Sequence, residues 1–326
     1  MKRRQFLTLF GAAVGSWPHV AQAQGTRVHK IGFLGNSTPA LEVNLIDAFR
    51  QGLTERGYIE GRDIVLEYRW ADGVYARFPI LISELLSSNA DVIVTAGTPA
   101  SLAIKKATQS VPVVMIAVGD PVGTGLVSSL ARPGGNLTGL SSIAPDLEGK
   151  RLELLREILP SISRVAMFIN SLNPFHLGSV EQARDAAKAL GISLQLLDVR
   201  MSEDIDGAFA EIRKDRPEAI LVLADRIFLH NRMRLMKFAV EQGLPNVNAY
   251  HELVQAGGLI SFGPSYEDMH RRAATYVDKI LKGTKPSELP IEQPTKFTLA
   301  LNLKAAKVLG LVFPTILLAR ADEIIE

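Results

Sequence analysis

Cysteine is absent from all 326 residues, which excludes disulfides, thiolate metal sites and cysteine nucleophiles. Beyond the N-terminal segment no run reaches 18 uninterrupted apolar residues, so no membrane-spanning helix is expected. Catalytic signatures are also missing. There is no Gly-x-Ser-x-Gly elbow, Walker loop or Gly-x-Gly-x-x-Gly after the first strand, and hence no expected cofactor. His19, His29, His176, His230, His251 and His270 are scattered, without the spacing that zinc requires. Gly119–Gly125 is glycine-rich, but its proline and spacing fit no phosphate-binding loop. Net charge is nearly nil, 36 Lys+Arg against 34 Asp+Glu. Without Lys2, Arg3 and Arg4 the balance is 33 against 34, so nothing argues for nucleic acid or an anionic membrane.

What is present begins at the N-terminus. Lys2, Arg3 and Arg4 precede a largely apolar run from Phe6 to Val14, and Ala21-Gln22-Ala23 supplies the small-x-small pattern before a cleavage site. Residues 1–23 therefore read as a cleaved secretory signal. Arg3-Arg4-Gln5-Phe6-Leu7 resembles the twin-arginine signature; an ordinary secretory signal with two arginines is the alternative. With no cysteine to accept a lipid, the mature chain is expected to be soluble in the bacterial periplasm.

Short β-branched runs alternate with amphipathic stretches through the remaining chain. Strands are expected at Lys30–Leu34, Ile64–Tyr68, Asp91–Thr95, Val111–Ile116 and Thr138–Ser141. A second series is expected at Val165–Ile169, Leu194–Val199, Ala219–Leu223, Pro245–Asn248 and Leu259–Phe262. Helices are expected at Asn44–Glu55, Arg77–Leu86, Leu152–Ile158, Val180–Leu190 and His270–Lys282. Such alternation predicts an α/β protein with parallel sheets covered on both faces. The two series run in parallel: Asn36 precedes Gly57, and Asn170 precedes Gly191, by the same 21 residues. Two lobes of like topology follow, at residues 24–143 and 144–263, with 264–326 returning across the hinge to complete them.

Ligands of open α/β sheets bind beyond the carboxyl ends of the strands, so the strand-end loops are the candidate site. Gly97-Thr98-Pro99-Ala100 follows a buried strand and opens a helix, with Thr98 as N-cap and Pro99 at the first helical position. Its free N–H groups and helix dipole suit an anion such as a carboxylate. Asp120-Pro121 has the same form. Asn36, Ser37 and Thr38 can cap the first helix and offer hydrogen bonds to a ligand, with Asn170 and Asn173 in the corresponding place. Asp225 ends the apolar strand AILVLAD; its carboxylate would suit a ligand ammonium, or simply cap the next helix. Asn248 and Tyr250 follow the next strand, and Tyr250 could stack on a ligand or seal the hinge.

Longer stretches carry a family resemblance. They are GLTERGYIEGRDIVLEYRWADG (52–73), DPVGTGLVSSLARPGGNLTGLS (120–141), GKRLELLREILP (149–160), and the tail from GGLISFGPSYEDMHRRAATYVDKILKG (257–283) to LLARADEIIE (317–326). The chain resembles the substrate-binding proteins of ABC importers, in the type I periplasmic-binding group of tryptophan/tyrosine type. The resemblance implies two doubly wound parallel-sheet lobes on a multi-segment hinge, closing on a small molecule. It also implies delivery to an ABC permease in the inner membrane, as a monomer and without catalysis. Members with amino-acid ligands tend to carry a Thr-Asp-Asn-like triplet where this chain has Ala224-Asp225-Arg226. A ligand-sensing protein for a membrane receptor, or a hydrolase of small amides or esters, are the alternatives.

Overall fold

The computed structural model describes residues 27–143 and 147–326. The export signal read in residues 1–23 and the lobe boundary drawn at residue 144 lie outside them. Among the described residues no helix is long and apolar enough to cross a membrane.

Five strands form the first sheet: β1 (His29–Gly35), β2 (Ile64–Trp70), β3 (Val92–Ala96), β4 (Val113–Val118) and β5 (Leu137–Ser141). Their order is β2-β1-β3-β4-β5, parallel throughout. Every residue of β3 and β4 is buried, which explains why both read as continuous apolar runs rather than alternating ones. Helices α1 (Val43–Thr54), α2 (Phe78–Ser87) and α3 (Thr98–Ala107) connect these strands.

The chain then leaves this body through α4 (Leu147–Ile158) and builds a second sheet. That sheet contains β6 (Arg164–Ile169), β7 (Ser193–Asp198), β8 (Ala219–Val222), β9 (Asn246–Asn248) and β10 (Ile260–Pro264). Their helices are α5 (Phe175–Leu190), α6 (Ile205–Asp215), α7 (Arg226–His230), α8 (Arg232–Glu241) and α9 (His251–Gln255). The order β10-β9-β8-β6-β7 repeats the winding of the first sheet, as the repeated spacing of Asn36–Gly57 and Asn170–Gly191 predicts.

The last fifth of the chain crosses twice more. Helix α10 (Tyr266–Leu281) packs its face of Met269, Ala273, Tyr276, Val277 and Ile280 back onto α1 and the first sheet. Glu292 then bridges to Leu140 beside β5. The chain returns as β11 (Phe297–Asn302), α11 (Leu303–Val308), α12 (Thr315–Arg320) and β12 (Glu323–Ile325). Strand β11 lies antiparallel on β10, and β12 parallel on β11. Three crossings thus join two like lobes. The second sheet departs from the all-parallel expectation in gaining these two edge strands. Neither is expected from the sequence, because β11 is specified by pairing with β10 rather than by a local pattern.

Candidate functional site

The carboxyl ends of the two sheets face each other across a nearly closed space of about 10 Å³. Gly97, Thr98, Pro99, Ala117, Gly119 and Ser142 line it from the first lobe. Asn173, Phe175, Ala224, Asp225, Arg226 and Tyr250 line it from the second. The β4–β5 register shifts between Met115 and Val118, and Ala117 takes φ +51°. Such a bulge bends a strand and re-aims its end, here toward the space between the lobes.

Glycine makes the close approach of the lobes feasible. A Cβ on Gly119 would fall 2.1 Å from Cγ of Phe175, and one on Gly73 would fall 2.7 Å from Cδ2 of His230. Gly97 caps α3 at φ +81°, ψ 158°, a conformation left to glycine. A Cβ there would lie 3.5 Å from Cγ of Arg226. Side chains of the second lobe are thus seated over bare backbone of the first.

Among the described residues, two hydrogen bonds span the lobes directly. The Tyr75 hydroxyl donates to Oδ1 of Asp225 at 2.7 Å, and Ser37 Oγ is bonded to Nδ1 of His230 at 2.7 Å. Burial first, and then the Asp225 carboxylate, push the Tyr75 phenol well above its ordinary range, so it remains a donor. Neither Ser37 nor His230 lines the space. Burial holds the His230 imidazole below its usual pKa, so this contact joins neutral groups.

Of the two roles open to Asp225, ligand contact or helix cap, the structure shows the cap. Oδ1 accepts from Tyr75 and from the Ile227 N–H at 3.0 Å. Oδ2 accepts from the amides of Asn173 at 2.8 Å and Asn170 at 3.3 Å. Four protein donors occupy its two oxygens, about the full capacity of a carboxylate. It is both the helix cap and a latch to Tyr75, and no lone pair is left over for a ligand ammonium.

Other expectations are corrected in detail. Thr98 is not the N-cap of α3: Gly97 holds that place, and Thr98 Oγ1 accepts the Gly119 N–H at 3.0 Å instead. Ala100 is wholly buried, with its methyl group in the first lobe's core. Asp120 caps a tight turn through the N–H groups of Val122 and Gly123, and no helix follows. It faces a neighbouring hollow rather than this space. Asn36 and Ser37 do not cap α1, which starts six residues after Ser37. Their N–H groups donate to the buried Glu42 carboxylate, and Asn36 Nδ2 donates to the Ala96 carbonyl. Thr38 receives the Leu41 N–H at 3.4 Å. Asn248 lies inside the second sheet, its amide donating to Asn246 Oδ1 and the Ile260 carbonyl. Asn170 holds Asp225 from behind, while Asn173, Gly97, Thr98, Pro99, Asp225 and Tyr250 do reach the space.

Arg226 is the residue that the expectations omitted. Only 3% exposed, it starts α7 directly after Asp225. Its guanidinium carbon lies 5.5 Å from the ring centroids of both Tyr250 and Tyr266, and desolvated cation–π contacts of this kind contribute about 2 kcal/mol. The available signal was a pair of adjacent charges, Asp225-Arg226, between two apolar runs, AILVLA and IFL.

Residues 37–325 match the family model described as ABC transporter substrate binding protein. The chain belongs to this family. A tyrosine-binding protein of Clostridioides difficile is 25% identical over 264 residues, 81% of this chain and 75% of that one. The solved structure of a conserved domain protein from Vibrio cholerae is 29% identical with a TM-score of 0.85. An ABC domain in complex with L-Trp from Streptococcus pneumoniae is 25% identical with a TM-score of 0.84. Both cover 91% of this chain and 100% of their own. The type I periplasmic-binding fold and substrate binding for an ABC importer are therefore those of this chain, as its sequence resemblance implies.

The substrate-binding protein carries a pH-sensitive group behind the cleft. His270 on α10 is wholly buried; its Nδ1 bonds to the Tyr266 carbonyl at 2.7 Å, and among the described residues its Nε2 has no partner. Burial, and then the charge of Arg226, press its pKa down to about 3. Unfolded, it would titrate at about 6.5. Its contribution is therefore complete above about pH 6.5 and is lost as pH falls toward 3, with about 2 kcal/mol gone by pH 5. Buried Glu42, whose pKa is raised chiefly by desolvation, acts in the opposite sense because folding favours its protonated form. Comparing variants separates the two. Between pH 7 and pH 5, denaturant melts should show wild type losing about 2 kcal/mol more than His270→Gln. Equal losses would remove His270 from the acid response.

Proposed function

We propose that this substrate-binding protein is exported to the periplasm and captures an amino acid or another small carboxylate-bearing compound for an inner-membrane ABC permease. It works as a monomer, by closure of its lobes and without catalysis or a cofactor. The observation that carries this reading is the space enclosed at the carboxyl ends of both sheets, with six lining residues from each lobe. A molecule that touches both halves stabilises the closed arrangement over the open one. The N-terminal end of α3, at Gly97–Pro99, opens onto this space with its dipole favouring negative charge. The relatives named for tyrosine and found with L-Trp support an amino-acid-sized, carboxylate-bearing ligand.

The site residues of this reading are Gly97, Thr98, Pro99, Asn173, Asp225 and Tyr250, with Arg226 and Phe175 added by geometry. The Ser37–His230 contact serves closure, since both residues lie outside the lining. Mass spectrometry of compounds released from protein purified out of the periplasm identifies the ligand. Adding that compound at 100 times its dissociation constant should then stabilise the fold by about 2.7 kcal/mol, measured as a thermal shift. Neutral sugars that shift the transition while every carboxylate fails would overturn the reading of the ligand class.

A further inference from the structure

The positive groups of the cleft converge on one point. Arg226 is all but fully buried, yet among the described residues its Nε and Nη2 have no hydrogen-bond partner. These two nitrogens share one edge of the guanidinium, and their parallel N–H groups are the pair that a carboxylate accepts bidentately. Buried polar groups are ordinarily satisfied, so two unpartnered donors on one edge of a buried cation point to a ligand.

The surroundings favour an anion at this edge. Arg226 Nε would lie 3.8 Å from a Cβ on Gly97, which places it against the N-terminus of the ten-residue helix α3. A guanidinium from one lobe and the positive end of a helix from the other meet in the same space. The nearby acids are Asp225, Glu42 and Glu252. Asp225 is filled by its four donors. Glu42 accepts the N–H groups of Asn36 and Ser37. Glu252 faces a separate hollow beside Ser261 and Tyr266. The rings of Tyr250 and Tyr266 lie within cation–π reach of the guanidinium, and Phe175, Pro99 and Ala117 supply apolar wall.

We propose that Arg226 is the specificity-determining residue of the cleft. Its Nε–Nη2 edge binds the ligand's carboxylate bidentately, so the protein selects small carboxylates whether or not they carry an amino group. This inference rests on reading the cleft as the ligand site. It goes beyond that reading by moving selection from Asp225 to Arg226 and from the amino group to the acid.

The test is calorimetric titration with a panel of aromatic and branched aliphatic acids, such as 3-phenylpropionate and 4-methylvalerate. Each is paired with its α-amino acid, its primary amide and the corresponding amine. Wild-type protein should bind at least one acid, with or without its amino group, about a hundredfold or more tighter than the amide. Arg226→Met keeps a long side chain against the tyrosines; it loses the cation–π contacts but also removes a buried charge with no hydrogen-bond partner on that edge, and the two offset, so its melting temperature should change little. In it the acid should lose about a hundredfold in affinity and the acid–amide preference should vanish. Arg226→Lys keeps the charge but not the fork and should fall between the two.

An unchanged acid–amide ratio in Arg226→Met overturns the proposal. So does wild-type preference for the amides or amines over the acids; either result leaves the cleft standing as the ligand site. Failure of every compound, acidic, neutral and cationic alike, overturns the cleft reading and the proposal together.

Discussion

Replacing Glu148 by Ala is expected to lower the unfolding free energy by about 3–5 kcal/mol, the usual consequence of breaking a buried ion pair on one side. Glu148 and Arg151 stand one turn apart on α4, 2.7 Å from each other, with side chains only 4% and 1% exposed. Arg151 also donates from Nε to the Phe262 carbonyl of β10 at 2.8 Å. The pair therefore ties the helix that begins after the first crossing to the strand that ends before the second. Without the carboxylate, a guanidinium stays buried with a single carbonyl for company. Replacing both partners by apolar residues, as in Glu148→Leu with Arg151→Met, should recover most of the loss, since apolar replacement of a buried pair is often neutral. Denaturant midpoints of the two single variants and the double variant form the cycle. A Glu148→Ala midpoint equal to wild type would show that the pair contributes nothing.

The interior of each lobe was legible in the sequence because it is specified locally. VIVTA and VVMIAV are apolar without interruption, and a strand buried on both faces needs nothing else to be recognised. The repeated winding was also legible, since Asn36–Gly57 and Asn170–Gly191 each measure one strand end, one helix and one turn. Strands β11 and β12 were not. FTLALN mixes Thr and Asn with its apolar residues, and its place beside β10 depends on a chain that has already crossed to the other lobe and back.

The site divides in the same way. That Gly97, Asn173, Asp225 and Tyr250 sit near the cleft follows from their position after strands. What each side chain does there follows from residues far away. Whether the Asp225 carboxylate is open or filled depends on Tyr75, 150 residues earlier in the chain. Whether Thr98 caps its helix depends on the Gly119 N–H, which draws its hydroxyl away. Local preference proposes a cap, and a distant donor with better geometry overrides it.

Asp225→Asn should be costly to the fold rather than to ligand binding alone. An asparagine at this position has one acceptor oxygen and an NH₂ group. With its nitrogen toward Asn170 and Asn173, three amide nitrogens face one another and both neighbouring amides lose their acceptor. Turned the other way, the nitrogen faces the Tyr75 hydroxyl and the Ile227 N–H. The hydroxyl can rotate to accept, but the Ile227 N–H cannot. In either orientation at least one buried donor is left unmet, at about 1–3 kcal/mol for each. The expected loss is therefore about 2–4 kcal/mol for Asp225→Asn, and more for Asp225→Ala, which leaves all four donors unmet. Tyr75→Phe isolates the part that crosses between the lobes. It should reduce stability by only about 0.5–1.5 kcal/mol, while solution scattering detects a more open average shape. An ammonium-binding role for Asp225 makes the opposite forecast, because asparagine caps helices about as well as aspartate. It requires unchanged melting of Asp225→Asn together with a roughly ten- to hundredfold loss of affinity for an amino-acid ligand. Thermal melts beside calorimetric titrations of the three variants decide between the latch and the ligand contact.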